Sequence, residues 1–171
     1  MNTQFKAARV ENYRVSDRSA ADIRYLVIHF TANDGDTAKN NADYFAREAP
    51  GVSAHFFVDE KEIWQSVREK DVAWHCGTRG MYFHPYCRNA NSLGIELCSR
   101  KQGEKYYFTP ETVKNARNFV RFLMKKYDIP LANVVRHYDV THKNCPAPFV
   151  EDAAAWQSFK AGLIQLTRRK I

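Results

Sequence analysis

Glycine and proline are scarce in this 171-residue chain, at 7 and 6 residues, and there are only 4 cysteines. Collagen-like and low-complexity chains need far more of the first two, so neither class fits. Cys76, Cys87, Cys98 and Cys145 show neither CxxC spacing nor the density of a secreted disulfide scaffold, which argues against a zinc finger or ribbon. Nowhere do about 18 apolar residues run together, as a membrane span requires. Residues 1–24 also lack the apolar run of roughly 7–15 residues that a signal peptide needs. The expectation is a soluble protein without membrane insertion, made without an export signal.

What is present is enough for a packed core. Hydrophobic residues make up 44% of the chain and include 3 Trp, 9 Tyr and 11 Phe. A chain of this length buries about 70% of its unfolded surface, and its size predicts a single domain over residues 1–171. The formal net charge of +7 is regional: residues 1–85 hold 11 Lys+Arg against 12 Asp+Glu, and residues 86–171 hold 15 against 7. Such an excess is compatible with nucleic acid, an anionic surface, or solubility alone.

No repeat or linker divides the chain. Tyr25 to Phe30, a run of β-formers ahead of the turn-prone Asn33-Asp-Gly-Asp36, predicts a central strand closing at His29. Thr37 to Glu48 reads as a helix capped by Thr37, with Ala38, Ala42, Phe45 and Ala46 on one side. Ala54 to Val58 and Glu62 to Ser66 predict a hairpin across Asp59-Glu-Lys61. Val72 to His75 and Ser92 to Cys98 predict further strands, with the aperiodic stretch Gly77 to Asn91 between them as a surface loop lining a cleft. Thr109-Pro-Glu111 starts a helix running to about Tyr127. Val113, Ala116, Val120, Leu123 and Tyr127 form its apolar stripe, opposite Lys114, Arg117, Arg121 and Lys125. Val134 to His137 predicts the last strand. Residues 151–171 predict a C-terminal helix, running from Glu151 to Arg169 with Ala153, Trp156, Phe159, Leu163 and Leu166 inward. Strands alternating with helices give an α/β domain, a central mixed sheet flanked by helices.

Chemistry concentrates where strands end. His29 closes the first strand and His137 the last, and Cys145 follows eight residues after His137 in a Pro-bracketed loop. Two imidazoles and a thiolate are three good zinc ligands, one short of a closed structural site, so the open position would make the site catalytic in type. Spacing alone leaves open that each is an ordinary polar residue, because the three are distant in sequence. In Leu93-Gly-Ile-Glu-Leu97, alternation puts Glu96 on the face opposite the three apolar residues, beside a Gly94 that leaves room for a ligand. A salt-bridged edge-strand glutamate is the alternative there.

The wording of five ordered segments is more specific. They are Leu26-Val-Ile-His-Phe-Thr-Ala32, Val52-Ser-Ala-His-Phe56, Val72-Ala-Trp-His-Cys-Gly77, Asn91-Ser-Leu-Gly-Ile-Glu-Leu97 and Val135-Arg-His-Tyr-Asp-Val-Thr-His-Lys-Asn-Cys-Pro146. Together they resemble the zinc-dependent N-acetylmuramoyl-L-alanine amidases, a family that includes phage and prophage lysins and shares its fold with peptidoglycan recognition proteins. The resemblance covers about residues 25–150. It implies a zinc ion held by His29, His137 and Cys145, Glu96 as general base, Lys143 as oxyanion support, and Trp74 and His75 bordering a peptidoglycan groove. Several phage-type members have Tyr where this chain has Ala54, so that hydroxyl is missing here and more of the chemistry falls on Glu96. His55 is expected to be structural.

The resemblance further implies synthesis in the bacterial cytoplasm and action on the cell wall after release by a membrane-permeabilising, holin-type partner. Two rival readings share the fold: a non-catalytic peptidoglycan-binding module, which would be expected to lack the Cys ligand, and a cytoplasmic wall-recycling amidase, which carries Asp in its place. A nucleic-acid binder is not supported by any recognition motif. On the amidase reading the basic second half, including the helix stripe and Arg168-Arg-Lys170, would hold the enzyme near anionic wall polymers.

Overall fold

A computed structural model describes residues 2–164. Among the described residues ten strands occur in chain order: β1 (Gln4–Phe5), β2 (Tyr13–Arg14), β3 (Tyr25–Phe30), β4 (Phe56–Val58), β5 (Ile63–Gln65), β6 (Val72–Ala73), β7 (Ser92–Leu97), β8 (Arg100–Gln102), β9 (Lys105–Tyr107) and β10 (Val134–Arg136). The helices are α1 (Ala38–Arg47), α2 (Pro110–Tyr127), α3 (His137–Thr141), α4 (Ala147–Val150) and α5 (Ala153–Ala161). Six strands form one mixed sheet in the order β1-β5-β4-β7-β3-β10, in which only β4 and β5 run antiparallel. The expected α/β architecture is therefore present.

β3 is almost wholly buried because it lies between β7 and β10 with both faces covered, which is why its sequence is a continuous apolar run. Leu26, Ile28, Leu93, Ile95 and Leu97 point to one side, into a core closed by Phe119, Val120 and Leu123 of α2 and by Trp156 and Phe159 of α5. The opposite face of β3 and β7 carries His29, Gly94 and Glu96, and the parallel register sets His29 directly beside Glu96. Alternation in two neighbouring strands thus separates a greasy face from a chemical one.

Local capping accounts for the two long helices. Thr37 accepts from the Asn40 N–H at the start of α1, and Asp59 Oδ2 accepts from the Ala38 N–H at 2.8 Å. The other oxygen of Asp59 accepts from Lys61 and Glu62 N–H, which tightens the β4–β5 turn. Thr109 caps α2, with Pro110 at its first position.

Several boundaries differ from expectation. β4 begins at Phe56, so Ala54 and His55 lie before it, and β6 pairs with β2 outside the main sheet. His137 does not end β10 but opens α3, because the Arg136 N–H and guanidinium both grip Asp139, at 2.8 and 2.7 Å, and turn the chain into a helix. α5 ends at Ala161 ahead of Gly162, and its Ala153 is exposed, although Trp156, Phe159 and Leu163 do face inward. Leu166 and Arg168-Arg-Lys170 lie outside the described residues. On α2, Phe119 joins the buried stripe. Arg117 leaves the solvated face and packs under α5, its Nη2 3.1 Å from Ser158 Oγ.

Candidate metal centre

His29 reaches this face from β3, His137 from the first turn after the adjacent strand β10, and Cys145 from the loop that follows α3. That loop is folded back by two backbone bonds, Tyr138 N–H to the Cys145 carbonyl at 2.8 Å and Cys145 N–H to the Lys143 carbonyl at 2.7 Å. The result is that one nitrogen from each histidine and the Cys145 sulfur lie within 4.8 Å of one another, all on buried residues. His29 Nδ1 stands 3.6 Å from Cys145 Sγ. A tetrahedral zinc with Zn–N near 2.0 Å and Zn–S near 2.3 Å holds such atoms about 3.5 Å apart.

The electrostatics also suit a cation. Burial holds both histidines in the neutral, lone-pair form, assisted for His29 by His137 and for His137 by Lys143; His137 is pushed down to about 3. Neither ring nitrogen of buried His137 has a hydrogen-bond partner, an arrangement a ligand would satisfy. Burial, and then the Glu96 charge, push the Cys145 thiol up to about 12, so a metal would displace its proton on binding. The three side chains fit a zinc ion.

Glu96 lies one strand away, with Oε1 4.0 Å from His29 Nδ1 and Oε2 buried without a partner. Desolvation raises its pKa to about 8, against the opposing pull of Lys143. Lys143 is exposed on the rim of the same cavity, and its charge acts on Glu96, His29, His137 and Cys145. The cavity measures about 1330 Å³ and runs between α1 on one side and Thr141 to Asn144 on the other. Trp74, 36% exposed, forms part of its wall, and Gly77, Thr78, Arg79 and Asn89 bring the 77–91 segment to it, as expected of that loop.

Gly94 plays a different part from the one the sequence suggested. The space beside Gly94 is not open to a ligand: a Cβ there would lie 2.5 Å from His75 Cγ, so the His75 ring fills it. His75 borders the cavity but is only 9% exposed, with its nitrogens 3.1 Å from His29 Nε2 and 3.1 Å from Ser92 Oγ. His55 is fully buried and accepts from Gly94 N–H, a structural setting. Ala54 packs with Phe57 and Cys98, and all four cysteines are free thiols. Sequence reasoning missed Ser92 and Asn89. Ser92 was within reach of it, since strand alternation puts residues 92, 94 and 96 on one face.

A family model described as N-acetylmuramoyl-L-alanine amidase matches residues 19–148. The chain is 34% identical over 170 residues to N-acetylmuramoyl-L-alanine amidase CwlL of Bacillus licheniformis, covering 95% of this chain and 46% of that protein. It thus spans less than half the length of that curated relative. The solved catalytic domain of XlyA, a Bacillus subtilis amidase, superposes with a TM-score of 0.76 at 31% identity, covering 96% of this chain and 100% of that one. The amidase AmiD from E. coli, solved with the substrate anhydro-N-acetylmuramic acid-L-Ala-D-gamma-Glu-L-Lys, superposes with a TM-score of 0.64 at 27% identity, covering 88% of this chain and 61% of that one.

Proposed function

The chain belongs to the N-acetylmuramoyl-L-alanine amidase family, and from that premise we propose that it hydrolyses the amide between the lactyl carbonyl of N-acetylmuramic acid and the first L-alanine of peptidoglycan. The observation that carries this reading is the meeting of His29, His137 and Cys145 with Glu96 in one cavity. The first three would hold one zinc ion, which when bound supplies a Lewis acid for the amide carbonyl at neutral pH.

The chain's own groups supply the rest. Glu96 takes a proton from the attacking water and returns it to the departing α-amine of L-alanine, as the C–N bond breaks and the new C–O bond forms. Its raised pKa suits a group that must both accept and release a proton near neutrality, and its unpartnered Oε2 is free to carry that proton. Lys143 presents positive charge from the rim to the carbonyl oxygen as that oxygen becomes anionic. Trp74 offers an apolar wall to the substrate.

We read the chain as one catalytic domain acting on the cell wall. Among the described residues no helix is long and apolar enough to cross a membrane. The exposed Lys114 and Lys125 of α2 add long-range attraction to anionic wall polymers. The test is mass spectrometry of purified wall digests. Wild type should release stem peptides with free L-alanine N-termini, and Glu96→Ala, Cys145→Ala or a chelator should abolish release. Wild-type release by either variant would overturn the assignment.

A further inference from the structure

Running inward from Cys145, four side chains form a chain of polar contacts whose direction is determined at its far end. Ser92 Oγ lies 2.7 Å from the Arg88 carbonyl oxygen, which can only accept, so the hydroxyl donates there. The same Oγ lies 3.1 Å from His75 Nε2 and, with its proton committed, accepts from Nε2–H. With one proton on the ring, His75 Nδ1 is bare and accepts from His29 Nε2–H at 3.1 Å. His29 Nδ1 therefore keeps its lone pair, 3.6 Å from Cys145 Sγ, where the metal would be.

His75 is held for this task from two further sides. Its backbone N–H and that of Cys76 both donate to Asn89 Oδ1, at 3.1 and 2.8 Å. Its ring lies against the bare Cα of Gly94, at a place no other residue type would leave free. His29, His75 and Ser92 are all buried, so water does not substitute freely for any link.

We propose that His75 is a positioning residue of the metal centre: by accepting from His29 Nε2–H it selects the tautomer and ring orientation that present Nδ1 to zinc, and Ser92 in turn orients His75. This rests on the reading of His29, His137 and Cys145 as zinc ligands. The opposite tautomer would place an N–H where a ligand lone pair is needed, and outer partners of ligating histidines typically change metal affinity about 10- to 100-fold.

Two measurements test this. In metal-free wild type, long-range proton–nitrogen NMR of the His29 ring should show the proton on Nε2; a proton on Nδ1 overturns the proposal. In competition with a chromophoric chelator, His75→Ala should bind zinc about 10- to 100-fold more weakly than wild type. His75→Asn, whose Oδ1 replaces the Nδ1 acceptor, should recover most of that loss, and Ser92→Ala should show a smaller loss in the same direction. A side chain that merely filled space would lower the metal-free unfolding midpoint without separating Asn from Ala in zinc affinity, and that result also overturns the proposal. Unchanged affinity in His75→Ala beside tight wild-type binding removes the positioning role alone. Failure of the wild type itself to bind zinc removes the metal reading as well.

Discussion

Replacing Gly94 by alanine tests the packing of this centre through a single methyl group. The added Cβ would lie 2.5 Å from His75 Cγ and 2.9 Å from both Cβ and Cδ2 of the same side chain. That is about 1 Å inside ordinary carbon–carbon contact. The ring cannot simply step aside, because His29 and Ser92 hold its two nitrogens. Overpacking of this kind costs about 1–3 kcal/mol, and losing one or both hydrogen bonds adds roughly 0.5–1.5 kcal/mol each. Gly94→Ala should therefore destabilise the metal-free protein by about 2–4 kcal/mol in urea titration. In a His75→Gly background all three contacting atoms, Cβ included, are gone. There the same change should be neutral or stabilising by up to about 1 kcal/mol, since alanine loses less backbone entropy than glycine in a strand. The double-mutant cycle should show a coupling of at least about 2 kcal/mol. A Gly94→Ala cost below about 0.5 kcal/mol, or equal costs in both backgrounds, would refute the packing argument.

The remaining predictions concern metal, pH and charge. Zinc at 100 times its dissociation constant should stabilise wild type by about 2.7 kcal/mol, and Cys145→Ala should lose most of that increment in a thermal melt with and without zinc. The metal-free protein should be most stable at about pH 6.5–7. Below that range the unfolded chain takes up protons at His29, His55 and His137, which the fold keeps neutral, and this outweighs the single proton that Glu96 retains in the fold, so stability falls as pH drops toward about 4.5. Above it the proton that Glu96, raised to about 8, keeps in the fold makes its contribution to stability fall as pH rises to 8. Urea midpoints that rise steadily from pH 5 to 8 in chelator would contradict this. Reversing Lys114 and Lys125 to Glu should weaken low-salt wall binding without moving the melting temperature, whereas Arg117→Glu should lower it, because Arg117 packs against Ser158 and Gly162. Equal melts for all three variants would show that Arg117 is only surface.

The parts of the fold readable from the sequence are those governed by local rules. The Thr37 and Thr109 caps, the apolar run of β3 and the alternation of β7 each depend on neighbours a few residues away, and each is found where expected. Boundaries failed where a distant or side-chain contact decides them. His137 starts a helix because Asp139 reaches back to Arg136, and Arg117 is covered because α5 crosses α2, which helical periodicity cannot register. The first 24 residues gave no periodic signal, since β1 and β2 are two-residue strands shaped by the partners they join.

The same distinction runs through the site. His29, His137, Cys145 and Glu96 are legible because each ends or lines an element and carries a chemically distinctive group. Spacing could not show that they meet, and that depends on the register that sets His29 against Glu96 and on β10 lying beside β3. Gly94 and His75 were read one at a time, as room for a ligand and as a residue bordering the substrate groove. Each in fact explains the other: the glycine is small so that the imidazole can lie against it, and the imidazole lies there with its nitrogens on His29 and Ser92. A side chain that acts on another side chain leaves no periodic or motif signature of its own, so the second layer of a site becomes readable only once strand register brings the pair together.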